Sequence, residues 1–216
     1  MRISEAYSGA AGEQYFHWQS EIGDVGAELN LWKFQPYVTR QDTVIDFGCG
    51  GGGLLAKLSC RGRIGVEPNP AARALAAERG VTVVPSASDL DDEVADVAIS
   101  NHALEHALEP FNELRDLRRA LKPGGRLVLV VPSEHGPRSW HEGDINHHLF
   151  TWTPLLLGDL LVEAGFEVER CRMVYRAWPP GYTTLRRWPV VLRALGGVWA
   201  VVRDERQIHA VAHVRV

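Results

Sequence analysis

The chain has 216 residues, of which 45% are apolar and 23% charged, and a formal net charge of −4. This is length and apolar content enough for one globular domain with a real core, and the mild negative charge gives no electrostatic case for nucleic-acid binding. No stretch approaches the ~20 apolar residues of a membrane span, no apolar segment follows Met1-Arg2-Ile3 to make a signal peptide, and Cys49, Cys60 and Cys171 lack metal or disulfide spacing, so a reduced, cytoplasmic setting is expected.

In chain order, residues 1–40 are rich in aromatics, and Leu29, Leu31, Trp32 and Tyr37 form a loose helical stripe. The β-branched run Val44-Ile45-Asp46-Phe47 predicts a first strand. It ends in a turn, Gly48-Cys49-Gly50-Gly51-Gly52-Gly53, that opens an apolar segment of helical character. Residues 63–67 read as a second strand, stopped by Pro68-Asn69-Pro70. The alanine-rich stretch 71–79 reads as a helix closed by Gly80. Residues 81–85 and 95–100 predict the third and fourth strands, with acidic loop between them. A helix is expected over 108–121, with Phe111, Leu114, Leu117 and Leu121 on one face, and a fifth strand over 126–131 after the turn Lys122-Pro123-Gly124-Gly125. Residues 153–164 predict a helix capped by Thr151 or Thr153 and closed by Gly165, and 166–173 and 208–216 are the last strand candidates. The alternation indicates a doubly wound α/β fold, with a parallel sheet, helices on both faces and ligands at the carboxyl ends of the strands.

The junction at 46–53 has the grammar of a ligand site. Glycines let backbone N–H groups approach a ligand, and a helix N-terminus adds partial positive charge. Gly48, Gly50 and Gly53 satisfy G-x-G-x-x-G, and Glu67 ends the next apolar run, so a dinucleotide is one reading. Asp46 argues against it, because a carboxylate at that place would face an anionic pyrophosphate. The same carboxylate suits a ligand with an ammonium group.

Asp-x-Gly-x-Gly followed by an acid at the end of the second strand resembles the class I S-adenosylmethionine-dependent methyltransferases. The resemblance implies S-adenosylmethionine as cofactor and S-adenosylhomocysteine as product. It implies Asp46 near the methionyl ammonium, the Gly48-Cys49-Gly50 backbone against the cofactor, and Glu67, followed by Pro68, accepting from the ribose hydroxyls. It also implies a seven-stranded Rossmann-like sheet whose last strand, 208–216, runs antiparallel beside the fifth. Residues 1–40 would then be a helical cap, with Tyr15 and Trp18 as lid candidates, and 42–171 the cofactor-binding core.

Three further stretches carry the resemblance. Val83-Val84-Pro85-Ser86-Ala87-Ser88-Asp89 lies where many members use an acid to read the adenine amino group. Here Ser86 holds that position, Asp89 follows three residues later, and the Ala87 N–H is placed to serve the ring. The run from Asp96 through Asn101 and His102 to Leu104-Glu105-His106 resembles the fourth strand and the turn after it, and adds Asn101 and His102 to the cofactor set. Leu121-Lys122-Pro123-Gly124-Gly125 resembles the turn into the fifth strand.

Methyl transfer from a sulfonium mainly needs alignment, but a hydroxyl acceptor gains from a general base. The candidate bases are His106, His135 and His148. Residues 133–148 hold His135, His141, His147 and His148 with Glu134, Glu142 and Asp144. Their spacing matches no zinc motif, so no metal is assigned; a substrate pocket and a solvated loop both fit. Residues 174–206, within an arginine-rich stretch starting at Arg170, read as an insertion before the last strand. It fits a solvated face, a lid, a contact that would make a homodimer, or a patch for an anionic or lipid-linked substrate.

The expectation is therefore a single domain, 1–216, that methylates a small molecule, with oxygen favoured. No basic groove supports a nucleic-acid acceptor, and no Asn-Pro-Pro-Tyr-type tetrapeptide follows the fourth strand. The alternatives are an NAD-dependent oxidoreductase and a non-catalytic cofactor-binding subunit. The oxidoreductase lacks a Tyr-x-x-x-Lys pair among its three lysines, Lys33, Lys57 and Lys122.

Overall fold

The computed structural model describes residues 23–133 and 148–216. Helix α1 covers residues 23–34 and passes into a 3-10 turn, Gln35–Tyr37. There follow β1 (Thr43–Phe47), α2 (Gly53–Lys57), β2 (Gly62–Val66), α3 (Pro70–Glu78), β3 (Thr82–Val84) and a 3-10 turn at Ala87–Asp89. Next come β4 (Ala95–Asn101), a 3-10 turn at Leu104–His106, α4 (Pro110–Ala120) and β5 (Leu121–Pro132). The chain continues with α5 (Pro154–Glu163), β6 (Phe166–Tyr175), α6 (Tyr182–Leu185), α7 (Pro189–Arg203) and β7 (Arg206–Val214).

The seven strands form one sheet in the order β3-β2-β1-β4-β5-β7-β6. The first five pair in parallel, and β7 runs antiparallel between β5 and β6. The chain starts at β1, steps outward to β3, and returns to the other side of β1 at β4. Strand order thus reverses between β1 and β4, which opens a crevice at their carboxyl ends.

The period-2 alternation of strand side chains supplies both faces of the core. Ile45, Phe47, Ala98, Leu127 and Leu129 pack with Leu114 and Leu117 of α4 and Leu157 and Leu161 of α5. Val44, Val97, Ile99, Val128 and Val130 pack on the other face with Phe34, Leu54, Leu55 and Ala76. Burial on both faces explains why β4 and β5 read as near-continuous apolar runs.

Several boundaries differ from the sequence expectations. β5 begins at Leu121 rather than 126, because the Lys122–Gly125 turn is held as a bulge: Ala95 faces Leu121, while Val97 already faces Arg126. Gly124, at φ +74°, permits it. Helix α4 starts at Pro110, leaving Leu108 exposed. Helix α3 starts at Pro70, where Asn69 Oδ1 accepts from Ala71 N at 2.9 Å. Thr153 is the α5 cap, accepting from Leu156 N. β7 starts at Arg206, and the insertion before it folds as α6 and α7. Val190, Val198 and Val202 on the outer face of α7 are exposed. Among the described residues, no helix is long and apolar enough to cross a membrane. Tyr15, Trp18 and His135 lie outside the described residues.

Candidate active site

The glycine turn after β1 is built from left-handed residues. Gly48, Gly50 and Gly52 have φ of +75°, +52° and +74°, a region that costs other residues energy. Gly48 is also sterically fixed, since a Cβ there would stand 2.3 Å from the Ala103 Cβ. A Cβ at Gly50 would meet nothing within 4 Å, because that backbone faces a cavity of about 310 Å³. Asp46, Gly48, Cys49 and Gly50 line the cavity from β1 and the turn, Asn101 and His102 from the end of β4, and Asp24, Ala27 and Asn30 from α1. Arg79 lines it from the end of α3 and ties the rim together. It pairs with Asp24 at 3.0 Å and donates to Gly51 O at 3.1 Å.

Two buried acids stand at this end of the cavity, Asp46 in its lining and Glu67 behind the glycine turn. Glu67, just after β2, accepts from Gly50 N and Asn69 N, both at 2.9 Å. These two donors, with Arg73, oppose the burial that pushes the Glu67 pKa up. Burial, and then the Glu67 charge, raises the Asp46 pKa to about 8. Burial likewise drives the Cys49 thiol upward, so it stays protonated and contributes shape rather than nucleophilicity. An uncharged Asp46 beside a glycine cradle is poised for a cationic group, which would favour its ionised form.

Two further features stand at the carboxyl end of β4. Lys33 of α1 is buried and donates to Asn101 Oδ1 at 3.2 Å and to Gln207 Oε1 at 2.9 Å. Burial, and then the nearby Arg176, lowers its pKa to about 7. Lys33 also lines a second cavity of about 250 Å³, between α1 and the α6–α7 insertion, together with Trp32, Arg176, Trp178, Arg186 and Arg193. The guanidiniums of Arg176 and Arg193 lie 5.1 and 5.9 Å from the Trp32 ring centroid. The second feature is His102, a non-glycine residue at φ +54° whose N–H donates to Val130 O at 2.8 Å. This backbone setting turns the chain sharply off the sheet and starts the 3-10 turn that carries Glu105 and His106.

The family model described as "Methyltransferase domain" matches residues 19–170. The chain belongs to this methyltransferase family. With its fold and its cofactor motifs, it is a member of the S-adenosylmethionine-dependent methyltransferase superfamily. An uncharacterized methyltransferase of Mycolicibacterium vanbaalenii is 32% identical over 141 residues, covering 61% of this chain and 50% of that protein. The chain spans about half the length of the curated relatives it matches. A SAM-dependent methyltransferase from Thermotoga maritima shares the fold at TM-score 0.66 and 19% identity, over 97% of this chain and 99% of that one. So does phosphoethanolamine N-methyltransferase 2 of Haemonchus contortus in complex with S-adenosyl-L-methionine, at TM-score 0.62 and 16% identity, over 88% of this chain and 53% of that one.

The structure gathers six of the expected cofactor residues of this family member around one cavity: Asp46, Gly48, Cys49, Gly50, Asn101 and His102. Glu67 reaches that cavity through its bond to Gly50, without itself lining it. Pro68, Ser86 and Ala87 lie outside the lining. Ser86 Oγ is 2.8 Å from Ser88 Oγ and caps the 3-10 turn, and Ala87 is fully buried. His106 and His148 converge on Glu105 rather than on the cavity. Membership in the methyltransferase family decides against the dinucleotide alternative. Sequence reasoning missed Lys33, Asp24 and Arg79. Lys33 carried a readable signal, since it stands one helical turn after Leu29 on the face that α1 buries.

Proposed function

We propose that the chain transfers a methyl group from S-adenosylmethionine to a small molecule that carries an anionic group, with oxygen favoured as the accepting atom. When bound, the cofactor supplies an electrophilic methyl on a sulfonium, ready for in-line displacement. Asp46 holds the methionyl ammonium, and the glycine turn with Asn101 and His102 shapes the cavity around the amino-acid end. Glu67, Ser86 and the Ala87 N–H are the proposed contacts of the ribose and adenine, and α1 forms the cap. The α6–α7 cavity receives the acceptor. Its surplus of Arg176, Arg186 and Arg193 over Glu28, which pairs with Arg186 at 3.3 Å, supports an anionic group there.

The observation that carries this reading is Lys33. It borders both places: it bonds to Asn101, which lines the cofactor cavity, and it lines the acceptor cavity itself. As a neutral amine it gives its two N–H groups to Asn101 and Gln207 and keeps a lone pair to accept a hydroxyl proton. His106, His135 and His148 stay candidates by their place in the sequence. Lys33 is preferred because its pKa lies near neutrality while its neighbours hold it in position.

The test is transfer of labelled methyl from S-adenosylmethionine to matched acceptors, such as hydroxybenzoates and the corresponding neutral phenols. Turnover of the anionic members, with demethylated cofactor appearing in step, is expected. Cofactor binding without turnover of any acceptor would favour the non-catalytic subunit instead.

A further inference from the structure

We infer that Glu105, His106 and His148 form a binding site for a divalent transition-metal cation of the zinc type. Glu105 is fully buried, and neither carboxylate oxygen has a hydrogen-bond partner among the described residues. A carboxylate left so is costly in a protein interior unless positive charge stands beside it. Among the described residues, three imidazoles stand beside it. The Nε2 atoms of His106 and His148 each stand 3.9 Å from Glu105 Oε1, and His102 Nδ1 is 3.5 Å from the same oxygen. One donor atom from each of Glu105, His106 and His148 falls within 4.8 Å of the other two.

Two of the three spacings are near those around a bound ion. Four ligands at about 2.1 Å in a tetrahedron lie roughly 3.4 Å apart. The two carboxylate–imidazole spacings therefore need to shorten by about half an ångström each, a movement within reach of small χ rotations. The backbone on both sides is already joined, since Leu149 N and Phe150 N donate to Glu105 O at 2.9 and 3.3 Å. Two imidazole nitrogens and one carboxylate suit zinc, cobalt or nickel, whereas magnesium and calcium prefer all-oxygen sets. Three protein ligands leave a fourth position open. His102, which touches the same carboxylate and lines the cofactor cavity, puts the site one side chain away from that cavity. No sequence spacing announces the site, because α4 and β5 separate His106 from His148.

The inference does not depend on which acceptor is methylated, and its test needs no turnover. The full chain is stripped with a chelator, dialysed against micromolar zinc and assayed for bound metal. One equivalent is expected. Glu105→Gln and His148→Ala are expected to weaken zinc binding at least about tenfold, while His213→Ala, at the Glu169 pair on β7, leaves it unchanged. Cobalt added to the stripped wild-type chain should give the intense visible bands of a four-coordinate ion, a readout that stands even if a variant fails to fold. A wild-type chain that retains no zinc, or a cobalt spectrum of six-coordinate, water-like form, would overturn the site.

Discussion

Asp46 and Lys33 are both ionisable groups held away from their usual charge state, with opposite consequences. Asp46, raised to about 8, is largely protonated in the free chain at neutral pH. Binding an ammonium group favours its ionised form, so cofactor binding is expected to release close to one proton at pH 7. Affinity should then rise with pH up to about 8 and level off above it. Calorimetry in buffers of different ionisation heat measures this directly, and zero proton release would contradict the role given to Asp46. Lys33 titrates near 7 when folded, against 10.5 for the ordinary side chain. Between those values the unfolded chain holds the extra proton, so folding becomes more favourable as pH rises through that window. Lys33→Met should therefore raise Tm most below pH 7, and by progressively less toward pH 10. The same variant is expected to lower kcat by about 10²-fold through loss of the base, and the wild-type kcat should climb through pH 7. A variant with higher Tm and unchanged kcat would remove Lys33 from the chemistry.

At the level of elements, the glycine turn separates two kinds of constraint that the sequence writes with one letter. Gly48 is closed in by Ala103, so Gly48→Ala is expected to destabilise the fold, by about 1–3 kcal/mol from overpacking with backbone strain added. Gly50 faces the cavity, so Gly50→Ala should cost only the roughly 1 kcal/mol of its left-handed backbone while weakening the cofactor at least tenfold. Chemical denaturation and cofactor titration of both variants separate the two effects. The α1 cap is held more lightly. Its Asp24–Arg79 pair is largely solvent-exposed on the Asp24 side, where such pairs contribute about 1 kcal/mol at most. Asp24→Ala is accordingly expected to raise the cofactor Kd only a few-fold, with little change in Tm.

For the whole molecule, charge is divided unevenly. The chain is net negative, yet the α6–α7 cavity collects Lys33, Arg176, Arg186 and Arg193 against Glu28. A local basic site on an acidic protein should be read out by salt. KM for an anionic acceptor is expected to rise between low salt and 0.15 M, where the Debye length falls to about 8 Å, and KM for a neutral analogue to stay flat. Equal salt dependence for both would take the arginines out of recognition.

The order of strands and helices, the glycine turn and the Asp46 signal were legible in the chain, because each follows from local pattern. Period-2 apolar runs make strands, glycine permits left-handed backbone, and Asp46 stands near the end of the first such run, just ahead of the turn. What tertiary structure decided lies between segments far apart in sequence. Lys33 meets Asn101 and Gln207 only because α1 crosses the carboxyl end of β4 and the amino end of the antiparallel β7. The shifts of Asp46 and Lys33 arise from burial, which no single stretch encodes. His106 and His148, each readable alone as a base, face one buried carboxylate because the turn after β4 and the segment before α5 converge. Local residue patterns fix which elements form, whereas a side chain's charge state and partners depend on what packing brings beside it.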